Sequence, residues 1–370
     1  MVTVHKIKEI TAKIKEKAVH LRAEAKVLAV AVYQYPYKKA LKRGYIAFRK
    51  FRLKKTRFAK YVRKISRKVS SSWKIILTAV PMFLFFYYVL GSRLSEDIDV
   101  TTEYKVADEK IPLAEAPNSM AFLVKREIDD KMWTPNLPMI FPAYVLDNMP
   151  NFQIGIVGAV RDMATAMRQM SYLTDAQKKD IKEAVKLLNY APNVWLMTRK
   201  DTLKLAPSSN SQYRQAAKKL QDFRRDGVFS PEIADLEKII TSTGAKLKKL
   251  TQKSEDFLQE HAAEWTDTQA DDLFYYNKGY AFALWQICRA LSADYKNLIL
   301  AANAYPEWTY FVTSLKRAAE LNPRVIRNGD IAGQRAPNHL LAQNYYLMRA
   351  LASVETVVNQ LLREQYAHQD

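Results

Sequence analysis

The sequence predicts an all-α protein in which a single transmembrane helix precedes an extracytoplasmic up-and-down helical bundle. Three observations predict this fold class. The chain has only nine glycines among its 370 residues. Apolar residues recur every three or four positions, which is typical of amphipathic helices, and no alternating strand pattern competes with them. One stretch, residues 75–91, contains no charge and is mostly large and apolar.

The first element is a strongly basic arm, residues 1–74. It contains 23 Lys and Arg against three acidic residues, a net charge of 23 − 3 = +20. The whole chain has 58 basic and 38 acidic residues, so the remainder has 58 − 23 = 35 basic and 38 − 3 = 35 acidic residues. The isoelectric point of about 9.7 therefore describes the arm and not the larger part of the chain.

The arm is predicted to be helical, with apolar side chains on one side of its second helix and basic side chains on the other. Such a helix fits the headgroup layer of a membrane, where each basic residue contributes about 1 kcal/mol at an anionic surface. Nucleic-acid binding is the alternative, although no DNA-binding motif accompanies these residues. The residues expected to contact anionic lipid are Arg49, Lys60, Arg63, Lys64, Arg67 and Lys68.

The second element, residues 75–91, is predicted to be the transmembrane helix. At about 1.5 Å per residue the run covers roughly 26 Å, slightly less than a hydrocarbon layer of about 30 Å. Residues 55–74 contain eight Lys and Arg, whereas residues 92–111 contain three. Because cytoplasmic flanks carry the excess of basic residues, the arm is expected in the cytoplasm. The span is then expected in a bacterial inner membrane, and the rest of the chain in the periplasm.

An acidic, proline-bearing spacer is predicted over residues 92–117, followed by a helical bundle over residues 118–370. Thr174 and Gln177 form the pattern of a capping box at a helix start. The last helix is expected to start near Pro337, because proline is common in the first turn. Several heptad-like seams within one segment favour an up-and-down bundle.

The stretch of residues 266–291 is predicted to be the central helix of the bundle. It is apolar over most of its circumference, which is typical of a helix surrounded by others. Gly279 lies among large aromatic residues within it. A glycine in that position predicts the close approach of another helix, since a residue without Cβ lets two backbones come together.

No recognised catalytic motif occurs in the sequence. The patterns GxGxxG, GxxxxGK[ST], HExxH and GxSxG are all absent from it. One cysteine, Cys288, and five histidines cannot form a Cys/His zinc cluster within one chain. Neither a catalytic residue nor a cofactor nor a metal is therefore expected, and an enzyme is the less favoured class.

Two polar stretches are candidates for a binding site, LDNMPNFQIG (residues 146–155) and PNHLLAQNYYLMRAL (residues 337–351). Helix caps and interhelical hydrogen bonds account for both, because helix starts need acceptors and buried amides need partners. The functional alternative is a polar pocket for a glycan or peptide of the cell envelope. Its candidate residues are Asn148, Asn151, Gln153, His339 and Gln343.

Three blocks of the sequence resemble a proteobacterial domain-of-unknown-function family of single-span envelope proteins. The blocks are WTPNLPMIFPAYVLDNMPNFQIG (133–155), FYYNKGYAFALWQI (274–287) and NGDIAGQRAPNHLLAQNYYLMRA (328–350). The resemblance covers roughly residues 92–365 and leaves out the basic arm. It implies the same topology as the charge pattern, and it implies no activity and no catalytic residue.

These observations favour a membrane-anchored envelope scaffold or protein-interaction module. In this hypothesis the bundle recruits a protein partner, the arm adheres to anionic lipid, and self-association is permitted. The alternative is a protein that binds, or a hydrolase that cleaves, envelope glycan or peptide through the polar residues of the bundle. Binding of nucleic acid by the arm is the third hypothesis.

Overall fold

The computed structural model describes residues 73–106, 113–195, 206–226, 229–261, 268–330 and 336–367, with the side chains from residue 78 onward. The chain divides into two compact units, residues 1–82 and 83–370. In the first unit only residues 73–82 are described. The basic residues expected to contact lipid, Arg49 to Lys68, lie outside the described residues, so that interpretation stays a prediction.

The described residues form ten α-helices and contain no strand, which confirms the all-α prediction. A single β-bridge joins Asn328 and Asn338. The helices are α1 Trp73–Ser95, α2 Glu115–Lys125, α3 Asn148–Met167, α4 Asp175–Leu188, α5 Ser209–Arg225, α6 Ile233–Glu260, α7 Thr268–Asp294, α8 Lys296–Ala301, α9 Tyr305–Glu320 and α10 His339–Ala367. A π-helical turn, Arg126–Asp130, extends α2, and a 3-10 turn, Pro142–Val145, precedes α3.

The predicted transmembrane helix is wrong. In the part of the chain that the structure describes, no helix combines the length and the apolar character needed to cross a membrane. The stretch 75–91 lies in α1, which also contains Lys74 in its first turn, Pro81 in its interior and Arg93 in its last turn. The membrane anchoring and single-pass topology inferred from that stretch are withdrawn. The periplasmic location of residues 92–370 stays a prediction.

The central helix of the second unit is α7, as the sequence predicted. Eighteen of its residues are buried, on every side of the helix. It packs most extensively against α3, and also against α9 and α2. A second layer pairs α10 with α6 and α9, while α4 pairs with α5 and α5 with α2.

The crossing of α3 and α7 depends on two glycines. A Cβ built on Gly155 would lie 2.1 Å from the carbonyl oxygen of Tyr276, and one built on Gly279 would lie 1.9 Å from that of Phe152. Both distances are far below van der Waals contact, so there is no room for a side chain at either position. The backbones of α3 and α7 are in direct contact there. The prediction that Gly279 marks a close helix approach is confirmed.

The order in which the helices pair differs from that of an up-and-down bundle. Such a bundle pairs consecutive helices, whereas the most extensive pairings here are α3 with α7 and α6 with α10. The glycine crossing fixes the first pair. The second contains another close contact, where a Cβ on Gly244 of α6 would lie 2.8 Å from Cγ1 of Val354 on α10.

Two predicted helix starts are confirmed. Thr174 and Gln177 form both reciprocal hydrogen bonds of a capping box at the start of α4. The last helix begins at His339, two residues after Pro337. Its first turn is capped by the side chain of Asn338, whose Oδ1 accepts a hydrogen bond from the backbone of Leu341 at 2.8 Å.

Candidate functional site

Within the described part of the second unit, a set of exposed apolar side chains lies on α1 and on the loop before α3. Each of these side chains is between 47% and 66% exposed. We call them the apolar surface. It consists of Phe83, Phe86, Leu90, Met139, Ile140, Tyr144 and Val145.

The two halves of the apolar surface are held together by polar and steric contacts. The hydroxyl groups of Tyr87 and Tyr88 donate to the backbone carbonyls of Ile140 and Met139, at 2.8 and 2.5 Å. A Cβ on Gly91 would lie 2.4 Å from Cβ of Pro142, so glycine is needed for this approach. The carboxyl-terminal half of α1 is therefore seated on the loop, with its other sides facing outward.

Exposure of this kind is unusual for a helix. Single exposed apolar side chains are normal, but a contiguous group is characteristic of a surface that something else covers. Leu84, Phe85 and Val89 add further exposed side chains around α1, each at least 42% exposed. A helix that is apolar on all sides is normally buried. Among the described residues, this arrangement therefore offers an apolar surface open to solvent.

Four carboxylates lie beside the apolar surface, where α1 ends and where α3 and α7 begin. We call Glu96, Asp147, Asp271 and Asp272 the acidic cluster. Burial, followed by the charges of Asp147, Asp272 and Glu96, raises the pKa of Asp271 to about 6. A carboxyl group with this pKa is one that its surroundings do not compensate with positive charge. The end of α1 adjoins the start of α3, since the backbone nitrogen of Asp97 lies 3.5 Å from Sδ of Met149.

Two of the predicted binding residues contact this cluster. Asn151 donates to Oδ1 of Asp272 at 2.7 Å and to the backbone carbonyl of Asp147 at 3.0 Å. Asn148, with its amide nitrogen turned toward α7, lies 2.8 Å from Oδ2 of Asp271. Both amides thus link the first turns of α3 and α7. Both amides therefore have a structural role in this fold, and both lie next to the carboxylates of the acidic cluster.

Gln153 is fully buried and joins a different network. Its Oε1 accepts from the backbone and hydroxyl of Thr134, at 2.9 and 2.7 Å, while its nitrogen donates to Oε2 of Glu127 at 3.2 Å and to the carbonyl of Met132 at 2.9 Å. Met132 adopts a left-handed backbone conformation, with φ of 74°. Gln153 therefore holds together the irregular segment that follows α2.

Beside Gln153 lies a buried ion pair that sequence reasoning missed. Nε of Arg126 is 3.0 Å from Oε1 of Glu127, and the two side chains are 3% and 0% exposed. The guanidinium also lies over the ring of Phe282 on α7, 4.6 Å from its centroid. Burial raises the pKa of Glu127, and the charge of Arg126 opposes this rise. The pair occupies the π-helical turn, a feature frequent at functional sites.

His339 and Gln343, the other two predicted binding residues, hold α10 in place. Nδ1 of His339 accepts from the backbone nitrogen of Arg327 at 3.0 Å, and burial together with the charge of Arg327 lowers its pKa. Gln343 is buried and donates to the carbonyl of Phe274 at 3.1 Å. Within the described ranges no hydrogen bond joins these two residues to Asn148, Asn151 or Gln153. The single polar pocket predicted from the five residues stays a prediction.

Another carboxylate missed by the sequence analysis is the partly buried Asp294, at the end of α7. It accepts hydrogen bonds from the backbone nitrogens of Glu115 and Ala116, at 2.6 and 2.9 Å, and so caps α2 from a distant part of the chain. Burial raises its pKa to about 7, although the two backbone donors oppose the rise. Nearby, Glu115 pairs with Arg224 at 2.7 Å.

Among the residues from 73 to 367 that are described, no group of His, Cys, Asp or Glu side chains has the geometry to hold a metal ion. A family of uncharacterised proteins conserved in bacteria, DUF2333, matches residues 136–232 and 230–364. The chain matches no curated protein and no solved structure. The family match agrees with the predicted resemblance to a bacterial family of unknown function.

Proposed function

Because the chain belongs to DUF2333, a family of uncharacterised proteins conserved in bacteria, we propose its function from geometry, as a helical scaffold that docks a partner protein. The docking site is the apolar surface. The second unit supplies a rigid body around α7, and α1 presents its side chains from that body. The role is one of binding and positioning, without chemistry of its own.

One observation carries this proposal, the seven apolar side chains that are each about half exposed or more. Fully burying a side chain of this size contributes about 1.5–3 kcal/mol. Covering three of them would offset a substantial part of the free-energy cost of association, which is several kcal/mol. Because these side chains are only about half exposed, each contributes about half of that value, and several must be covered together for binding.

The acidic cluster supports a more specific partner. Glu96, Asp147 and Asp271 form no ion pair with a cation in the described part of the chain, and they adjoin the apolar surface. We expect a partner segment with apolar residues followed by Lys or Arg. Its apolar residues would be buried against α1, and its Lys or Arg would lie beside these carboxylates. Charge complementarity of this kind speeds association and fixes the orientation of the partner.

The proposal is tested with a photo-crosslinking amino acid at Phe86 in living cells, with Val325 as the control position. Val325 is also exposed, at 67% against 51% for Phe86, and lies outside the apolar surface. We expect a protein partner that crosslinks from Phe86 and not from Val325. The purified partner should then bind the purified full chain, and Phe86→Asp with Leu90→Asp should weaken binding at least tenfold, whereas Val325→Asp should not.

Several outcomes would overturn the proposal. One is crosslinking from Phe86 to lipid alone, and another is crosslinking only to a second copy of the chain. A third is a partner whose affinity is unchanged by the two aspartates. The thermal unfolding midpoint of each variant serves as the control for folding, since exposed substitutions should leave it nearly unchanged.

A further inference from the structure

A second exposed surface lies on α9 and α10, helices that take no part in the apolar surface. A shallow depression of about 480 Å³ is lined by Tyr305, Pro306, Thr309, Tyr310 and Thr313 of α9. Both tyrosines are more than half exposed, at 54% and 56%. The lining thus consists of two aromatic rings, one proline and two threonines, all from one helix.

Beyond Tyr310 the surface continues onto α10 through an arginine held between two rings. The guanidinium carbon of Arg349 lies 5.9 Å from the ring centroid of Tyr310 and 5.7 Å from that of Tyr345. Tyr345 is itself 56% exposed. Stacking on two aromatic faces limits the motion of the guanidinium and leaves its N–H donors at the ring edges.

Arg349 has no carboxylate partner among the described residues, although the chain pairs many other arginines. Arg126, Arg161, Arg214, Arg224, Arg225 and Arg289 all form ion pairs with an acidic side chain. An arginine fixed by packing, with unused donors, is suited to bidentate recognition of a carboxylate. The surface therefore combines the depression, three exposed tyrosine rings and a guanidinium group without a carboxylate partner among the described residues.

We propose that this surface binds an extended, proline-containing peptide segment that carries a carboxylate. Prolines of a polyproline II segment pack between exposed aromatic rings, and such a segment needs few hydrogen bonds because its backbone remains solvated. The depression between Tyr305 and Tyr310 receives a proline, and Arg349 binds the carboxylate.

The test uses the full chain and a synthetic probe, the capped peptide of three Pro-Pro-Glu repeats. We expect saturable binding by calorimetry, and at least tenfold weaker binding when glutamine replaces glutamate or glycine replaces proline in the probe. Arg349→Gln should weaken binding of the glutamate probe to the same degree, and should leave binding of the glutamine probe unchanged. Arg324→Gln, at an exposed arginine outside this surface, is the matched control.

The probe substitutions leave the protein unaltered, so they test the proposal even if a protein variant fails to fold. Equal binding of the glutamate and glutamine probes would overturn the role of Arg349. The absence of binding by the glutamate probe would overturn the proposal as a whole. So would a dimer that dissociates with Tyr310→Ala, because a second copy would then occupy the surface. None of these results bears on the apolar surface, so the two proposals stand or fall separately.

Discussion

Lys278 is a charged residue inside the central helix. Its side chain is 1% exposed, and its Nζ donates to the carbonyl of Leu321, the residue that follows the last residue of α9. A lysine near the last carbonyls of a helix complements the negative end of the helix dipole. Burial nevertheless lowers its pKa to about 8. The interior thus disfavours the charged form more than this contact favours it.

The first prediction concerns the pH dependence caused by Lys278. Between pH 8 and 10.5 the unfolded state binds more protons at this residue than the folded state, so the free energy of unfolding rises with pH in that window. The contribution is on the order of 1–3 kcal/mol. Lys278→Met should remove this rise, measured by urea unfolding at pH 7.5, 9 and 10. An unchanged slope in the variant would contradict the assignment.

The second prediction concerns Asp271, whose raised pKa has the opposite consequence. Between pH 3.8 and about 6 the folded state holds the proton and the unfolded state has lost it, so this group's contribution to stability falls as pH rises. Asp271→Asn keeps the amide contact with Asn148 and removes the repulsion. We expect it to raise the free energy of unfolding at pH 7 by up to about 1 kcal/mol, after allowance for solvent screening.

The control for Asp271 is Asp256→Asn, an exposed aspartate on α6. It should change the free energy of unfolding by less than about 0.5 kcal/mol. The stabilisation by Asp271→Asn should fade as the pH falls below about 6, because the carboxyl group of Asp271 is then protonated in the folded wild type. A stabilisation by Asp271→Asn that persists at pH 3.5 would mean that repulsion is not its cause.

The third prediction concerns Gln153, whose side-chain amide forms four hydrogen bonds in the interior. Gln153→Leu would leave Thr134 and Glu127 without those hydrogen bonds, at a cost of about 1–3 kcal/mol for each buried polar group. We expect the free energy of unfolding to drop by at least about 3 kcal/mol in urea titrations. Gln252→Leu, at an exposed position of α6, should have little effect. A loss below about 1 kcal/mol would show that water replaces the amide.

Sequence reasoning at this scale found some of the residues and missed others. Asn148 and Asn151 were chosen because amides lie at a helix start, and both contact the acidic cluster. The buried pair of Arg126 and Glu127 could not be found, since adjacent charges normally lie at the surface. The π-helical turn that directs both inward has no sequence signature. The apolar surface did have a signal, because the loop before α3 contains large apolar residues between prolines.

At the scale of elements, the crossing of α3 and α7 gives the fourth prediction. Gly279→Ala would place a methyl group against the backbone of Phe152, which cannot move without moving α3. We expect a loss of at least about 3 kcal/mol in the free energy of unfolding, or failure to fold. Circular dichroism during urea titration measures it.

The matched control is Gly244→Ala on α6. There the added methyl group meets only the end of the Val354 side chain, which can change rotamer. Alanine also favours a helix over glycine by about 1 kcal/mol. The control should therefore lie within about 1 kcal/mol of the wild type. Similar losses at both positions would mean that the backbone contact at Gly279 contributes no more to stability than the side-chain contact at Gly244.

The helices themselves were largely predictable, because their starts have local causes. The capping box at Thr174 and the proline before His339 are read directly from neighbouring residues. The stretch 75–91 shows where such reading fails. A count of uncharged residues detects an apolar segment, but whether a helix can cross a membrane also depends on its polar ends. Besides the uncharged stretch, α1 contains Lys74 and Arg93.

For the whole molecule, the all-α class followed from composition and periodicity, whereas the pairing of helices did not. Periodicity identifies the buried face of each helix and says nothing about which helix covers it. Gly279 indicated that some backbone comes close, but its partner could be identified only by the position of Gly155. Likewise, α6 and α10 each have a heptad-like repeat of apolar residues. Neither repeat indicates that these two helices pair with each other, because α7, α8 and α9 lie between them in the sequence.

The cap that Asp294 places on α2 has a consequence for synthesis. The two residues of that contact are 179 positions apart in the chain. The helix α3 likewise packs against α7, which is synthesised much later. The early segments therefore leave the ribosome long before the helix that covers them. During that interval a holdase chaperone should bind them, because nascent apolar faces are open to it. Stalled chains that end before residue 268 should therefore be captured, whereas chains long enough to release Asp294 should escape. Equal capture of both chain lengths would mean that the emergence of α7 does not end chaperone binding.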